Sequence, residues 1–425
     1  MLRNYSIWHA VLRKCFRPCV LATALGLLLV GSPATAEKPP DEVFAPTAQI
    51  TLPSPQNITA FDISFVDPVI GEYFLADRTN KAVDVVDTAT NKLSTQLTAT
   101  PPFRGTAPCV PPAGPNDCAG PDGVITVGHK EVWAGDGDST IKVISLTTGA
   151  TTHVINTGGK FRADELCLDP RDKLVMMAND ADSPPFVTLI STDTYTVLKT
   201  IKMDGTQGTP NATNGIEQCQ WSPRTGKFYL NIPEVNGPGN DTKPGAVLVI
   251  SPEVVIPGTP LIENTFNIPL DKCAGPQGMA IGPENQILLG CNASSSTVII
   301  NAQSGTVIAT LANEGGADEV WFNDGDSQYF LAESGPSFSS NQLLGIIDAW
   351  SHQEDQSVVT GIKSTTAVPR GGNHSVAADP VLNQIYVPIA STSGSTVCAS
   401  AGGSNTRGCI AVFTATGDDK PRPPQ

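Results

Sequence analysis

A phrase that returns seven times along the chain constrains its fold more than any other feature. Each copy has a short β-type run, a turn built on Asp-Pro or on Gly and Asn, and a second β-type run. The copies begin at Phe61, Pro121, Ala163, Ile216, Pro276, Ala317 and Asn373. Third and fourth β-type runs follow, as in AVDVVD from Ala82 and TVLKTI from Thr196. Four strands repeated about every 40 residues are typical of a β-propeller, so we predict an all-β fold of seven blades.

The two ends of the repeat array predict how the ring closes. The seventh copy runs out near Phe413 without a fourth strand, and a β-type segment from Ala48, AQITLP, belongs to no copy. We predict that this N-terminal strand pairs with the last blade, because closure removes two open sheet edges. The propeller then covers residues 37–416, and the polar tail at 417–425 is predicted to be disordered.

The first 36 residues have the character of a secretory signal peptide. Four basic residues precede an apolar run at 20–30, and small residues at 34–36 suit cleavage. The apolar run is shorter than the roughly 20 residues that a membrane span needs, so no stable span is expected after cleavage. We therefore predict a periplasmic or secreted protein.

The charge of the chain restricts its partners. The net charge is −15, and removing residues 1–36 takes away four positive charges and no acids, which gives −19. Such an acidic chain repels phosphate backbones, so nucleic acid is not expected as a partner. The chain also has no P-loop, no G-x-G-x-x-G turn before a helix and no C-x-x-C-H motif, so neither a nucleotide nor covalent haem is expected.

Eight cysteines follow the predicted signal peptide, and an even number in an exported chain favours disulfides. Two pairs lie in Gly/Pro/Ser-rich insertions, one pair flanks neighbouring strands of the fifth copy, and one pair occupies near-equivalent positions on the first strands of the third and fourth copies. The predicted disulfides are Cys109–Cys118, Cys398–Cys409, Cys273–Cys291 and Cys167–Cys219. Metal sites built from these cysteines are disfavoured because no C-x-x-C occurs.

Residues 74–93, FLADRTNKAVDVVDTATNKL, resemble the YVTN-type β-propeller repeat. The shared features are a second strand that ends in a small residue plus Asp, a third strand of alternating Val that ends in Asp, and a T-x-T-N-K turn. The other copies match more loosely, and the likeness extends over most of residues 37–416. The resemblance implies the propeller fold. Propellers of this kind include binding proteins and scaffolds and, at a greater distance, lactonases and lyases, so the resemblance leaves function open.

One register predicts a ring of polar residues around the propeller axis. Counting five residues back from the turn that ends the first strand reaches a polar residue in six copies, and the second copy, with a shorter turn, offers another. The ring residues are Asp62, Asp122, Asp164, Glu217, Gln277, Asp318 and His374. Because the first strand of each blade lines the channel, we expect these side chains around one mouth. Strand alternation predicts that Glu165 and Glu319, one residue on, face the neighbouring surface instead.

Carboxylates crowded in a narrow channel must be hydrated, take up protons or hold a cation. Calcium accepts roughly 6 to 8 oxygen ligands in flexible geometry, so it is the cation that this ring suits best. The predicted ligands are Asp62, Asp164, Glu217 and Asp318. Three interpretations remain open, namely a water-filled channel with a polar lining, a structural axial cation, and a cation that binds substrate or takes part in catalysis.

Two functions from different classes fit this ring. The first is an exported binding propeller that holds a small ligand or a protein partner at the mouth. Its ligand-binding candidates are Asp62, Asp122, Asp164 and Gln277.

The second function is a metal-dependent hydrolase or lyase that acts on a lactone or cyclic ester, as the looser similarity to propeller lactonases and lyases implies. The metal would polarise a carbonyl oxygen while Glu217 or Asp318 accepts a proton. His374 is the best acid or base candidate, because imidazole commonly exchanges protons near neutral pH.

Overall fold

The structure, a computed structural model, describes residues 43–416 except for 107, 110–113, 115, 253–260, 336, 363–372, 392–393 and 400–406. The predicted signal peptide at 1–36 and the predicted tail at 417–425 lie outside the described residues. The described chain forms 28 strands and one short 3-10 turn, Pro283–Asn285. The strands make seven antiparallel four-stranded sheets, which confirms the predicted seven-bladed propeller.

Blades 1 to 3 follow the first strand of the chain, β1 (Val43–Ile50), and each uses four consecutive strands that run in order from the axis outwards. Blade 1 contains β2 (Ser64–Asp67), β3 (Glu72–Asp77), β4 (Ala82–Asp87) and β5 (Lys92–Leu97). Blade 2 contains β6 (Val124–Val127), β7 (Glu131–Asp136), β8 (Thr140–Ser145) and β9 (Thr151–Asn156). Blade 3 contains β10 (Leu166–Asp169), β11 (Leu174–Asn179), β12 (Phe186–Ser191) and β13 (Thr196–Lys202).

Blades 4 to 6 follow the same order. Blade 4 contains β14 (Cys219–Ser222), β15 (Lys227–Ile232), β16 (Gly245–Ile250) and β17 (Ile262–Ile268). Blade 5 contains β18 (Pro276–Ile281), β19 (Gln286–Cys291), β20 (Ser296–Asn301) and β21 (Val307–Ala312). Blade 6 contains β22 (Ala317–Asn323), β23 (Gln328–Glu333), β24 (Asn341–Asp348) and β25 (Gln353–Ile362).

Blade 7 joins the two ends of the described chain. Its inner strands are β26 (Ala377–Asp379), β27 (Gln384–Ile389) and β28 (Cys409–Thr416), and β1 is its outermost strand. The pairing runs from Val43 opposite Thr416 to Ile50 opposite Ile410. The predicted closure by the N-terminal strand is therefore confirmed, although the strand begins at Val43 rather than near Ala48. The inner strands contact one another around the whole circle, since β2 touches both β6 and β26.

The core lies between the blades. The two middle strands of each blade are buried along nearly their whole length, whereas outer strands such as β13 are mostly exposed. Each middle strand is covered on both faces by neighbouring blades, which is why its sequence is an apolar run rather than an alternating one. Met176 and Leu189 of blade 3, for example, share one cluster with Phe228 and Leu230 of blade 4.

The four predicted disulfides are confirmed, with Cα–Cα distances of 5.2 to 5.7 Å. Cys167–Cys219 joins the inner strands of blades 3 and 4, while the other three pairs close shorter segments. Disulfides are typical of proteins that fold outside a reducing compartment. In the part of the chain that the structure describes, no helix is long and apolar enough to cross a membrane.

Candidate functional site

The ring residues occupy a recurring irregularity at the start of the inner strands. The N–H of Asp62 donates to the carbonyl of Ala76 at 2.9 Å, and the N–H of Ala76 donates back to the carbonyl of Ile63 at 3.1 Å. Two consecutive residues thus oppose one, which is the pattern of a β-bulge. The same pair of bonds is made at Asp122, Asp164 and Glu217. In blades 5 and 6 the register shifts at the start of β18 and of β22.

These side chains surround a cavity of about 580 Å³ at the end of the channel where the inner strands begin; we call it the axial mouth. Six of the seven predicted ring residues line it, namely Asp62, Asp164, Glu217, Gln277, Asp318 and His374. Asp122 lies behind the wall, fully buried against Arg78. The segment between blades 1 and 2 adds Thr106, Asn116 and Ala119 to the rim.

The expectation for Glu165 and Glu319 is wrong, because both carboxyl side chains line the axial mouth. The bulge explains the difference. Where two residues of one strand face a single residue of its partner, strict alternation of side chains is lost, so a ring residue and its successor can both face the channel. Both glutamates are buried, and each carboxyl affects the pKa of the other.

Two arginines that the register did not select organise one side of the mouth. Arg78, directly after β3, donates from Nη2 to Asp62 Oδ2 at 2.5 Å and from Nε to Asp122 Oδ1 at 3.0 Å. Its side chain is almost fully buried. A charged donor that bridges two buried carboxylates fixes both of them in place.

Arg162, in the loop before β10, makes the second contact of this kind. It binds Asp180 with two parallel hydrogen bonds of 3.0 and 2.6 Å, and its Nη2 lies 2.9 Å from Asp164 Oδ2. A sequence feature points to it, since Arg162 stands two residues before the ring residue Asp164. Arg78 likewise follows the second strand of its own copy directly, but loop residues fall outside a register counted along strands.

The arginines oppose the effect of burial on the pKa of three aspartates, and the balance differs from one aspartate to the next. Burial would raise the pKa of Asp62, but Arg78, His374 and Arg162 together lower that pKa below its ordinary value. Burial raises the pKa of Asp122 well above the ordinary range in spite of Arg78, and the nearby Asp62 charge adds to the shift. The pKa of Asp164 is raised well above its ordinary value by burial and by Asp180 and Asp62, although Arg162 opposes the shift.

Three glutamates form a second acidic group in the same cavity. Burial raises the pKa of Glu165 well above its ordinary value, with a further contribution from Glu319. Burial also raises the pKa of Glu319, helped by Asp318 and Asp62. The pKa of Glu217 is raised by burial and by Asp180 and Asp318, and Gln277 Nε2 donates to its Oε1 at 3.2 Å. These carboxyl groups favour the protonated form until a cation approaches them.

His374 is held in a fixed orientation at the rim. Its Nε2 lies 3.3 Å from Asp62 Oδ1, and its ring stacks on Phe61 with centroids 4.6 Å apart and planes 1° from parallel. A histidine that is oriented by a carboxylate, and a carboxylate that is held in turn by Arg78, resemble the base and orienting groups of many hydrolytic sites.

The predicted calcium ligands share the mouth but do not form one tight group. Among the described residues, the acidic side chains whose oxygen atoms all lie within 4.8 Å of one another are Asp62, Asp122 and Asp164. Arg78 donates hydrogen bonds to Asp62 and Asp122, and Arg162 forms an ion pair with Asp164, so two guanidinium groups already supply the positive charge that a metal ion would bring. Glu217 and Asp318 lie outside the group, on the part of the wall formed by blades 4 and 6.

Comparison of the chain with models of known protein families and with curated proteins found no match. The YVTN-type resemblance of residues 74–93 therefore stays a prediction. Function has to be inferred from the mouth itself.

Behind the axial mouth the lining of the channel becomes largely apolar. A second cavity of about 390 Å³, the apolar chamber, is lined by inner-strand side chains that include Phe65, Trp221, Trp321 and Phe322. Glu165 borders both cavities. A charged ligand would lose its hydration in the chamber and find few polar partners there, such as Glu165, Gln218 and Gln220, so the axial mouth is the part of the channel better suited to a polar ligand.

Proposed function

We propose that this protein is an exported binding propeller that holds a small polar ligand at its axial mouth. The observation that carries the proposal is the cavity of about 580 Å³ whose wall combines buried carboxyl groups with two fixed arginines. Ligand sites commonly occupy cavities of about 300 to 1,000 Å³ and place a few polar groups around the ligand. A concave site of this size favours a small molecule over a protein surface.

The acidic composition of the wall favours a ligand that carries positive charge. Asp62, Asp164, Glu165, Glu217, Asp318 and Glu319 contribute carboxyl groups, whereas Arg78 and Arg162 contribute two positive charges. An organic cation gains from the carboxylates and displaces the protons that burial retains on the glutamates. Calcium is the inorganic alternative, and Glu217 and Asp318 are its better-placed ligands because the arginines occupy Asp62 and Asp164.

A ligand screen on the purified mature protein tests this function. Small amines, sugars and CaCl2 are added separately, and the melting temperature is recorded. A compound at 100 times its dissociation constant adds about 2.7 kcal/mol of stability, which is a rise of several degrees. Glu217→Gln should weaken binding of the active compound about 10- to 100-fold, since a charged hydrogen bond contributes about 1.5 to 3 kcal/mol.

Glu263→Gln is the matched control, because Glu263 lies on the outer strand β17, pairs with Lys227 and does not line the mouth. It should bind the same compound with unchanged affinity. Equal loss in both variants, or no stabilising compound together with native mass spectra free of any adduct, would rule out ligand binding at the mouth.

Export is the second part of the proposal. It is supported by the signal-like segment at 1–36 and by four disulfides, which persist in oxidising compartments. Expression of the full-length chain with fractionation of the cells should give a mature protein that begins near residue 37 and has no free thiol. A cytosolic protein with an intact amino terminus would contradict export.

The orientation of His374 by Asp62 favours one alternative function, a hydrolase or lyase that acts on a lactone or cyclic ester. In the hydrolytic version, water adds to the ester carbonyl while His374 takes its proton. The ring C–O bond then breaks, and a protonated carboxyl such as Glu217 gives a proton to the departing oxygen. Burial raises the pKa of Glu217 well above its ordinary value, which favours a proton-donating role for it over the accepting role expected from sequence.

A lactone panel separates the two functions. Turnover that falls at least about 100-fold in His374→Ala, with the melting temperature nearly unchanged, would support the enzyme. Addition of a chelator tests whether a metal takes part. Absence of turnover in the wild-type protein, together with retained ligand binding, would leave the binding function alone.

A further inference from the structure

One position of the repeat carries buried charge in several blades, and blade 2 shows how it is neutralised. Asp136 ends β7, and Lys142 of β8 forms a buried ion pair with it. Both side chains are fully enclosed. Lys142 lies opposite Ala134, two residues before the aspartate.

Blade 6 has a carboxylate at the same place but no lysine opposite it. Glu333 ends β23, and the residue opposite Leu331, two positions before it, is Gly345. Gly345 therefore stands where Lys142 stands in blade 2. The missing side chain leaves a space in β24, and a second carboxylate, Glu314 from the loop before β22, enters it.

Both glutamates face the space above Gly345. A Cβ atom placed on Gly345 would lie 2.5 Å from Glu314 Oε2 and 2.9 Å from Glu333 Oε1. The side chains are buried, with 1% exposure for Glu314 and none for Glu333. No hydrogen-bond donor within the described part of the chain reaches any of the four carboxylate oxygens. Two buried carboxylates without donors need either protons or a cation.

We propose that a divalent cation of the calcium type binds between Glu314 and Glu333, where Lys142 supplies an ammonium group in blade 2. Calcium accepts carboxylate oxygens together with water and backbone carbonyls, and it tolerates irregular geometry. Glu354, an exposed residue of β25, is close enough to Glu314 to affect its ionisation. This site is separate from the axial mouth.

Titration supports the geometry. Burial and the neighbouring Glu333 and Glu354 raise the pKa of Glu314 to about 11, and burial raises the pKa of Glu333 to about 8. Both shifts disfavour two uncompensated negative charges at this place, and a divalent ion would neutralise both groups.

Calorimetric titration of chelator-treated mature protein with CaCl2 in slightly alkaline buffer tests the site. The wild type should bind calcium, and Glu333→Gln should bind one equivalent fewer. Calcium should also raise the wild-type melting temperature by roughly 3 °C or more at saturation. Glu314→Gln should lose the same equivalent, which covers the case in which the first variant folds poorly.

Two further variants locate the effect. Gly345→Lys places a side chain and an ammonium group where blade 2 has Lys142, so the variant should lose the calcium equivalent and its melting temperature should gain nothing from calcium. Asp84 occupies in blade 1 the position of Lys142 in blade 2 and Gly345 in blade 6. Asp84→Asn should keep the full calcium equivalent, because Asp84 accepts a hydrogen bond from Gln96 and its neighbour Asp77 accepts one from Asn80. Asp318→Asn should keep this equivalent even if it removes a separate one at the axial mouth.

Equal calcium binding in the wild type and Glu333→Gln would overturn the site. So would a chelator-treated wild type whose stability falls with rising pH and is not restored by calcium, since the pair would then share protons alone.

Discussion

Arg78 holds two of the carboxylates that the repeat register selects, and it does so from a loop that the register does not cover. Its guanidinium group bridges Asp62 and Asp122, and Asp62 in turn orients His374. Arg78 therefore helps to keep the pKa of Asp62 low, together with His374 and Arg162. Removing one partner of a buried charge pair is costly because the other charge stays behind in a site with little water.

Arg78→Met should lower the free energy of unfolding by about 3 to 5 kcal/mol at neutral pH. The loss should shrink in acid, because Asp62 can then take up a proton and need no partner. Urea unfolding at several pH values measures both effects. Lys173→Ala is the control: its pair with Asp193 is 60% exposed on both sides, so the change should stay within about 0.5 kcal/mol. A pH-independent loss, or equal losses in the two variants, would contradict this role of Arg78.

Within a blade, the β-bulge at the start of the inner strand determines what the mouth contains. Sequence alternation predicted that Glu165 and Glu319 face away, and the bulge turns them into the channel. A period-two pattern describes a regular strand. The extra residue of a β-bulge at the start of a strand cannot be recognised from the amino-acid types there. The ring residues themselves were predictable because nearly every blade keeps the same distance between the bulge and the following turn.

Blade 1 provides a pH test at the scale of one element. Burial raises the pKa of Asp84 well above its ordinary value, and Asp77 adds to the shift; the pKa of Asp77 is also raised by burial. Groups with a raised folded-state pKa bind extra protons on folding, so their contribution is present at low pH and is lost as pH rises through the raised values.

Asp84→Asn removes a group that needs such a proton. The wild type should lose up to about 1.4 kcal/mol more per pH unit than the variant as pH rises above the ordinary aspartate range. Chemical unfolding curves from acidic to alkaline pH check the difference, and Asp193→Asn, an exposed change, should follow the wild type. Parallel curves for the wild type and Asp84→Asn would show that the pair does not titrate as described.

The disulfides differ in what they connect. Cys167–Cys219 closes a segment of 52 residues between two blades, whereas Cys109–Cys118 closes one of 9 within a loop. On loop entropy alone, replacing the first pair by Ser should cost about 4 kcal/mol and replacing the second about 2.6 kcal/mol. Melting temperatures of the two double variants give the order, and the reverse order would argue against the entropic account.

At the scale of the whole molecule, the ring depends on a strand from the far end of the chain. Phe44 of β1 is buried and meets the ring of Phe330 of blade 6 edge-on, with centroids 5.6 Å apart. Its backbone N–H and carbonyl both bond to the side chain of Gln356. The first strand therefore ties blade 7 to blade 6 as well as completing blade 7.

Phe44→Ala should lower the free energy of unfolding by about 3 to 5 kcal/mol, because it empties a buried site between two blades. Val43→Ala is the neighbouring control; Val43 is 51% exposed, so its loss should stay near 0.5 kcal/mol. Thermal unfolding with light scattering measures the loss of stability and any association through the loosened edge. Equal stability of the two variants would mean that β1 adds no packing energy.

The fold was predictable at this scale because seven copies of one sequence pattern each predict the same four-stranded blade. A copy that matches the pattern poorly can be assigned from the other copies. Cys167–Cys219 was predictable for a related reason, since repeat positions place the two residues side by side, whereas the other three pairs were predictable from their closeness within an insertion or beside neighbouring strands. Contacts between a loop and a strand, such as Arg78 with Asp122 or Glu314 with Glu333, have no repeat behind them. These contacts depend on the conformation of each loop, and a pattern of strand residues does not determine that conformation.

The closing strand β1 is synthesised long before the strand with which it pairs. Val43 and Thr416 meet across 373 residues, so the segment that finishes the ring is made before all the blades and its partner is made after them. Until the last blade is synthesised, this segment has no sheet to join. A chain that is released early therefore exposes an unpaired strand edge that can pair with the same edge of other released chains. Premature stop codons near the end of the reading frame should therefore cause more aggregation of the truncated protein than the small number of lost residues suggests.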